Sequence, residues 1–382
     1  MAHNCINKGV LSVMTNSSLC ESPSLRFSKF LNVPSESSDK ANEIMSFVAY
    51  YNRQKNNLPA ASKFFPKNSR QIPLRLGGKL IVNQAGGVLE NVGISLHRTF
   101  SYPYIPGSAV KGVVRHAAWE AWAAESDENK KFELAEKIAM VFGFPTGDKK
   151  PKEKASARDY LDNYLWSKNP EKYGTEKQSK SYSGSVAFLN AVPLLPKKVE
   201  LDTDICTCHH MDYYKPKGSA HPVALDDEEP NPQIFPVVQA GAEFCFCIAP
   251  LKHDADLDFA EQMLKAALSV NGIGGKTAAG YGWFEEDSKL SNVLEREKKL
   301  SSAGNSVLVS KFMTMKGSEL GEFLKKPELS EEEKEAFKIA YETLPTGLKN
   351  KTKEFFKKGK GVPYKNIISV WGENEAQALF AQ

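Results

Sequence analysis

The stretch NGIGGKTAAGYGWF, residues 271–284, carries five glycines around a single lysine. No other residue type takes positive φ, or lets a second backbone approach, at so little cost. Any fold this chain adopts therefore makes a tight passage here. A helical pattern over residues 257–270 runs into the stretch, and a strand-like pattern over 281–285 leaves it. Two uses fit equally well: a turn between helix and strand, or a run of backbone N–H groups that closes on a phosphate. Nucleotide fingerprints do not fit. Lys276-Thr277 would end a G-x-x-x-x-G-K-[ST] loop, but its first glycine falls on Val270. In G-x-G-x-x-G, Gly272 and Gly274 lead to Thr277 instead of a third glycine.

The patterns upstream mix strands and helices without a regular repeat. Ile44, Phe47, Val48 and Tyr51 recur at helical spacing within residues 39–55. Residues 74–82 and 88–97 alternate like a strand pair across Gly86-Gly87. PYIPGSAVKGVVR reads as a turn feeding a helix, with Ser108 as its N-cap and Val110, Val113, Val114, Ala117 and Ala121 as its buried stripe. A second helix spans 129–141, and strand signals return at 184–191 and 234–248. This order predicts an α+β fold with helices on one face of a mostly antiparallel sheet. The domain plan is a flexible segment 1–37, a folded domain 38–287 with insertions at 146–182 and 202–233, and a helical extension 288–382. The insertion 202–233 is expected to be irregular, because Pro216, Pro222, Pro230 and Pro232 punctuate it.

A content of 41% hydrophobic residues in 382 supports a proper core, and a net charge of +4 permits a nucleic-acid partner only through a local basic surface. No signal-peptide pattern and no run of apolar residues long enough to span a membrane is present, and six cysteines are too few for a disulfide framework. A reduced, cytoplasmic setting is expected. The lysine-rich run 349–360 reads most simply as a solvated helix face.

Several segments carry chemistry on their residue types alone. A helix starting after Pro106-Gly107 points free N–H groups and a positive dipole end outward, which suits a phosphate. Lys111 and Arg115, four apart, share a face of that helix. An ordinary amphipathic helix with two exposed cations fits the same spacing. Ser108-x-x-Lys111, Ser167-x-Asn169 and Lys276-Thr277-Ala278 approximate the three motifs of penicillin-recognising serine enzymes, with Ala278 standing where glycine belongs. Cys206, Cys208, His209, His210 and His221 could ligate zinc, yet the C-x-C spacing is not that of a zinc site, and no metal is expected. Asp202, Asp204 and Asp212, with His97 as acid or base, are the carboxylates a phosphodiesterase would use, although surface loops carry such residues routinely.

PYIPGSAVKGVVR followed some 160 residues later by GIGGKTAAGYGWF resembles the RAMP superfamily of CRISPR proteins. GISLHRTFSYPYIPGSAVKG, VAFLNAVP, DTDICTCHHMDYY and PNPQIFPVVQAGAEFCF narrow the resemblance to Cmr-type subunits of type III-B effector complexes, over residues 74 to 286. The resemblance implies a ferredoxin-like, RRM-derived fold. It further implies a subunit without nuclease activity or cofactor that holds CRISPR guide RNA near its 3′ side, and the guide–target RNA duplex, among other Cmr-type RAMP subunits. A membrane partner is not implied. The positions it carries over as RNA-binding are Ser108, Lys111, Arg115, Gly274, Gly275, Lys276 and Thr277, with His97 beside the helix start. Tyr102, Tyr104, Tyr213 and Tyr214 are candidates for stacking on splayed bases. A grip on the backbone alone suits a guide, whose base edges must stay open for the target.

Overall fold

The fold comes from a computed structural model of the chain. It describes residues 20–31, 37–54, 65–86, 89, 92–144, 157–175, 180–194, 199–210, 213–214, 230–291, 294, 312, 315–341, 344 and 346–380. The chain divides into two compact units, residues 1–59 with 65–288, and residues 60–64 with 289–382.

In chain order the first unit holds α1 (Ser37–Arg53), β1 (Arg70–Leu76), α2 (Gly107–Ala124), α3 (Glu128–Phe142), β2 (Gly143–Phe144) and α4 (Ala157–Lys168). Then follow β3 (Tyr182–Ser183), β4 (Val186–Phe188), β5 (Val192–Pro193), β6 (Leu201–Cys208), β7 (Asn231–Val238), β8 (Glu243–Pro250), α5 (Leu257–Ala266) and β9 (Phe284–Glu285). The main sheet is antiparallel with strand order β4-β8-β1-β9, and β5 also pairs with β8. With α2 after β1 and α5 after β8, this is the βαββαβ plan of a ferredoxin-like fold, as the resemblance implies. The two crossover helices pack on each other, α2 against β4 and α5 against β8.

Pairing with β8 and β9 makes β1 an inner strand, and alternation turns one of its faces to the core. Ile72, Leu74 and Leu76 are buried, while Gln71, Pro73 and Arg75 between them are only partly covered. In β8 every residue from Phe244 to Ala249 is buried, and Cys245 and Cys247 sit there as small apolar side chains. The stripe of α1 is buried as its spacing demands, with Ile44, Phe47, Val48 and Tyr51 in the core. Asn52 fixes that helix to β6 by a two-way bond, Nδ2 donating to Leu201 O at 2.8 Å and Oδ1 accepting from Leu201 N at 3.0 Å.

Three expectations change. The strand read over 74–82 begins earlier and ends at Leu76, because Gly77, Gly78 and Lys79 turn to meet the glycine-rich run. The stretch 202–233, expected to be irregular, opens and closes as strands: β6 and β7 pair antiparallel over eight positions, from Leu201↔Val238 to Cys208↔Asn231. Its prolines misled because the hairpin is a separate two-stranded sheet, where Pro232 and Pro236 leave no central ladder bond unmade. The single signal over 234–248 resolves into β7 and β8, divided by a turn at Gly241 with φ +80°.

The second unit has its own core. Described there are α6 (Gly317–Leu324), α7 (Glu331–Tyr341), α8 (Thr346–Lys357), α9 (Val362–Trp371) and α10 (Glu373–Phe380). Aromatic side chains dominate the centre, with Phe337, Tyr341, Trp371 and Phe380 in mutual edge contact at 5.1–6.4 Å. Buried Asn366 on α9 donates to Leu324 O and Lys326 O, satisfying carbonyls at the end of α6. No helix among the described residues is long and apolar enough to cross a membrane.

Candidate nucleic-acid interface

Segment 271–283 folds back on the chain that leaves β1. Gly275 N donates to Ile81 O at 2.8 Å, Gly282 N to Lys79 O at 2.8 Å, and Ile273 N to Gly282 O at 2.7 Å. Glycine is required at two of these points. Gly274 has φ +99° and a Cβ there would stand 2.2 Å from Ile81 O, while Gly282 has φ +73° and its Cβ would strike Ile273 O. Lys276 itself is left-handed at φ 56°, ψ 35°, just before a 3₁₀ turn over Thr277–Ala279. Among the described residues, the N–H groups of Gly274, Lys276, Thr277 and Ala278 have no acceptor. Successive free amides around a left-handed residue form the concave nest that binds anions. Gly274, Lys276 and Ala278 are exposed, so this nest faces solvent.

The start of α2 is built differently. Its N-cap is Pro106, and Ser108 is the second helical residue, not the cap. The reason lies far away in sequence: Asn190 Oδ1, just past β4, accepts the Gly107 amide at 2.8 Å. A Cβ on Gly107 would stand 2.3 Å from Phe188 O, so the helix starts in contact with the sheet. Ala109 N and Val110 N both donate to Pro106 O, which among the described residues leaves only the Ser108 amide of the first turn open. What this helix offers is charge. Lys111 is half-buried and has no carboxylate partner among the described residues. Burial, and then the charge of Arg115, pull its pKa below the usual lysine value. Arg115 lies over the Trp119 ring at 4.9 Å, so Lys111, Arg115 and Trp119 form one stripe.

The two elements do not converge on one point. Asn271, at the mouth of the glycine run, bonds Glu120 of α2 at 2.8 Å. Glu120 lies about 20 Å along the helix axis from Gly107 and about 180° around it from Lys111. The helix start and the glycine run are thus separate contact points on one body.

Alternation places Asp202, Asp204 and Cys206 on one face of β6, and that face meets the glycine run. Lys79 Nζ lies 3.2 Å from both Asp202 Oδ2 and Asp204 Oδ2. Tyr281 OH donates to Asp204 Oδ2 at 2.8 Å, and Lys276 Nζ approaches Cys206 Sγ at 3.3 Å. Burial raises the Asp204 pKa, but bonds from Tyr281, the Ile205 amide and Lys79 outweigh it and hold the carboxyl below its usual range. Burial likewise lowers Lys79, and the bonds to Asp204 and Asp202 reverse this and hold it above the ordinary lysine value. Sequence reasoning did not find this latch, although the i, i+2, i+4 spacing of the three side chains was its one visible sign.

The remaining candidates are placed as follows. His97 Nδ1 accepts from the amides of Thr99 and Phe100, each at 3.3 Å, which puts its proton on Nε2. Burial lowers its pKa, and its ring stacks on Phe100 and Tyr102. Tyr102 is buried and its hydroxyl is pushed up to about 12 by burial and then by Tyr104, so it packs rather than stacks on a ligand. Tyr213 and Tyr214 are exposed, edge to face at 5.2 Å. Ser167 donates to Tyr164 O, and Asn169 caps the short turn Pro170–Tyr173, so both serve local structure. His209 and His210 hold their rings 6.3 Å apart, and Asp212, His221 and the Cys208 side chain fall outside the described residues. The described residues contain no group of three or more His, Cys, Asp or Glu placed to hold a metal.

A βαββαβ sheet with an N–H-rich glycine loop before its last strand and a Pro-Gly helix start after its first defines a class, and a model of the RAMP superfamily matches residues 73–285. The chain belongs to the RAMP superfamily. It is similar to the CRISPR system Cmr subunit Cmr6 of Pyrococcus furiosus, 29% identical over an alignment of 258 residues that covers 62% of this chain and 71% of the relative. The crystal structure of that Cmr6 is 22% identical and covers 57% of this chain and 98% of its own, with a TM-score of 0.30. A cryo-EM structure of the type III-B Cmr-beta complex bound to cognate target RNA contains a chain 17% identical, covering 75% and 76%, with a TM-score of 0.32.

Proposed function

We propose that this chain is a non-catalytic RNA-binding subunit of a type III-B CRISPR effector complex. It grips the backbone of the guide RNA near its 3′ side and the guide–target duplex, next to other RAMP subunits. The observation that carries this reading is the exposed nest at Gly274–Ala278, whose four unused amides and lysine suit a phosphate, a contact that carries no sequence information. Lys111 and Arg115 add a second, cationic contact on α2, with Ser108 one turn before Lys111 and His97 ahead of the turn that leads into the helix. The similarity to Cmr6 supports the choice of complex.

The non-catalytic half of the reading draws on the latch. Asp202 and Asp204, two of the carboxylates a RAMP nuclease would need, are engaged by Lys79 and Tyr281 in holding the hairpin to the glycine run. Purification from the native host followed by sequencing of bound RNA tests the assignment: a discrete guide-length species is expected, and random fragments or no RNA would sink it. Incubation with labelled RNA, alone and in complex, tests the rest. Intact RNA is expected, and cleavage abolished by Asp204→Asn or His97→Ala would move the chain to the nuclease class.

A further inference from the structure

The second unit segregates its charge. Residues 346–365 hold seven lysines against one glutamate, whereas 317–345 hold four lysines against eight glutamates. The two groups of lysines live in different surroundings. Lys326, Lys334 and Lys338 are each paired, with Glu333, Glu331 and Glu375. Lys351, Lys353, Lys357, Lys358, Lys360 and Lys365 have no carboxylate partner among the described residues.

On α8 the buried side chains Leu348, Thr352 and Phe356 occupy one arc. At about 100° per residue, Lys353 and Lys357 flank that arc on one side and Lys351 and Lys358 lie on the opposite side. Lysines thus run along both sides of the outward surface of the helix, with Asn350 and Glu354 on the line between them. Lys357 and Lys358 gain from the dipole at the helix C-terminus, but Lys351 and Lys353 sit too early for that. Like charges four apart on a helix oppose its formation, and this helix keeps Lys353 and Lys357 uncompensated while acidic residues neutralise its neighbours. This segregation of charge favours a binding surface over the solvated face read from the sequence.

We infer that the outward face of α8, continued by Lys360 and Lys365, is a second binding surface for an RNA sugar-phosphate backbone, outside the RAMP domain. Its chemistry is that of a polyanion site: compact point charges and few apolar anchors. The helix has no apolar face left for a membrane, since Leu348 and Phe356 lie in the core of the unit. Of the large apolar side chains described in this unit, only Val362 and Leu379 are well exposed, which gives a protein partner little to bury. The choice of RNA among polyanions rests on the function proposed above.

The test uses the full chain and a labelled single-stranded RNA of mixed sequence, titrated between about 50 and 200 mM salt. Changing Lys351, Lys353, Lys357, Lys358 and Lys360 together to glutamine should flatten the slope of log K against log salt by about 0.7 for each phosphate that is no longer neutralised, and weaken binding roughly 10-fold or more. The same five changed to arginine should restore both. Glutamine at the paired Lys326, Lys334 and Lys338 should leave the slope as in the wild type. An unchanged slope in the five-lysine variant, with its thermal unfolding preserved, overturns the inference. So does an equal loss in the paired-lysine control, which would report net charge instead of a surface. Loss of binding to anionic lipid vesicles or to an acidic protein, with RNA binding intact, overturns it in favour of that partner. A separate variant at Lys111, Arg115 and Lys276 keeps the two ideas apart: RNA bound through that set alone retains the proposed function and removes this one.

Discussion

The glycine run and the start of α2 looked like two copies of one device, each a set of free amides beside a cation. They are complementary instead. The glycine run supplies amides: Gly274, Lys276, Thr277 and Ala278 keep theirs open, held by glycine backbone that no other residue can replace. The start of α2 has three of its first four amides bonded and supplies cations, Lys111 half-buried and Arg115 against Trp119. A backbone nest is positioned by covalent geometry and binds without side-chain entropy, whereas a lysine must be ordered by its surroundings. The first should fail all at once when its backbone is disturbed, and the second by increments.

The largest expected effect is therefore at Gly274. Gly274→Ala combines a strained φ with a clash on Ile81 O and should cost about 2–4 kcal/mol in urea unfolding, together with most RNA affinity. Gly280→Ala sharpens the point, since φ is +88° but the added methyl meets nothing within 4 Å, and about 1 kcal/mol is expected. Equal losses at the two sites would contradict the close approach to Ile81.

Next in size is the latch that holds the glycine run to β6. Asp204→Asn should lower stability by about 0.5–1 kcal/mol at neutral pH, allowing for the partial exposure of both Asp204 and Lys79. The pH dependence has a definite sign. The folded Asp204 pKa is depressed, so its contribution is complete above the ordinary carboxylate value and is lost as pH falls through the folded pKa. Urea unfolding across the acid range should show the wild type converging on Asp204→Asn at low pH. A constant gap between them would mean that the carboxylate does not titrate in the latch.

The smallest single effect belongs to the cations. Lys111→Gln and Arg115→Gln should each weaken RNA binding equally across sequences and flatten the salt slope by about 0.7, with little change in stability for Lys111, which lacks a carboxylate partner among the described residues. A dependence on RNA sequence would show base readout where backbone contact is expected.

Local features of the fold were open to sequence reasoning, and long-range ones were not. The stripe Ile44, Phe47, Val48 and Tyr51, and the helix over 129–141, follow from periodicity because burial on one side imposes it. The hairpin β6–β7 escaped because its prolines mimic a loop, which a separate two-stranded sheet tolerates. At the interface, the positions of the glycine run and of Lys111 and Arg115 stood in the sequence. Which amides stay open did not, because it depends on Asn190 reaching Gly107 across 83 residues and on Ile81 and Lys79 accepting from Gly275 and Gly282. Asp204 similarly meets Tyr281 from 77 positions away. No periodicity encodes such pairs.

The proposed grip on RNA is sequence-blind and uses two separate contact points. The direct measurement is the salt dependence of binding to single-stranded RNA by the wild type and by the joint variant Lys111→Gln, Arg115→Gln, Lys276→Gln. Removing these three cations should flatten the slope by about 2.1, at about 0.7 for each phosphate no longer neutralised, with weaker binding to every sequence. A variant that matches the wild type in slope and affinity would contradict the account.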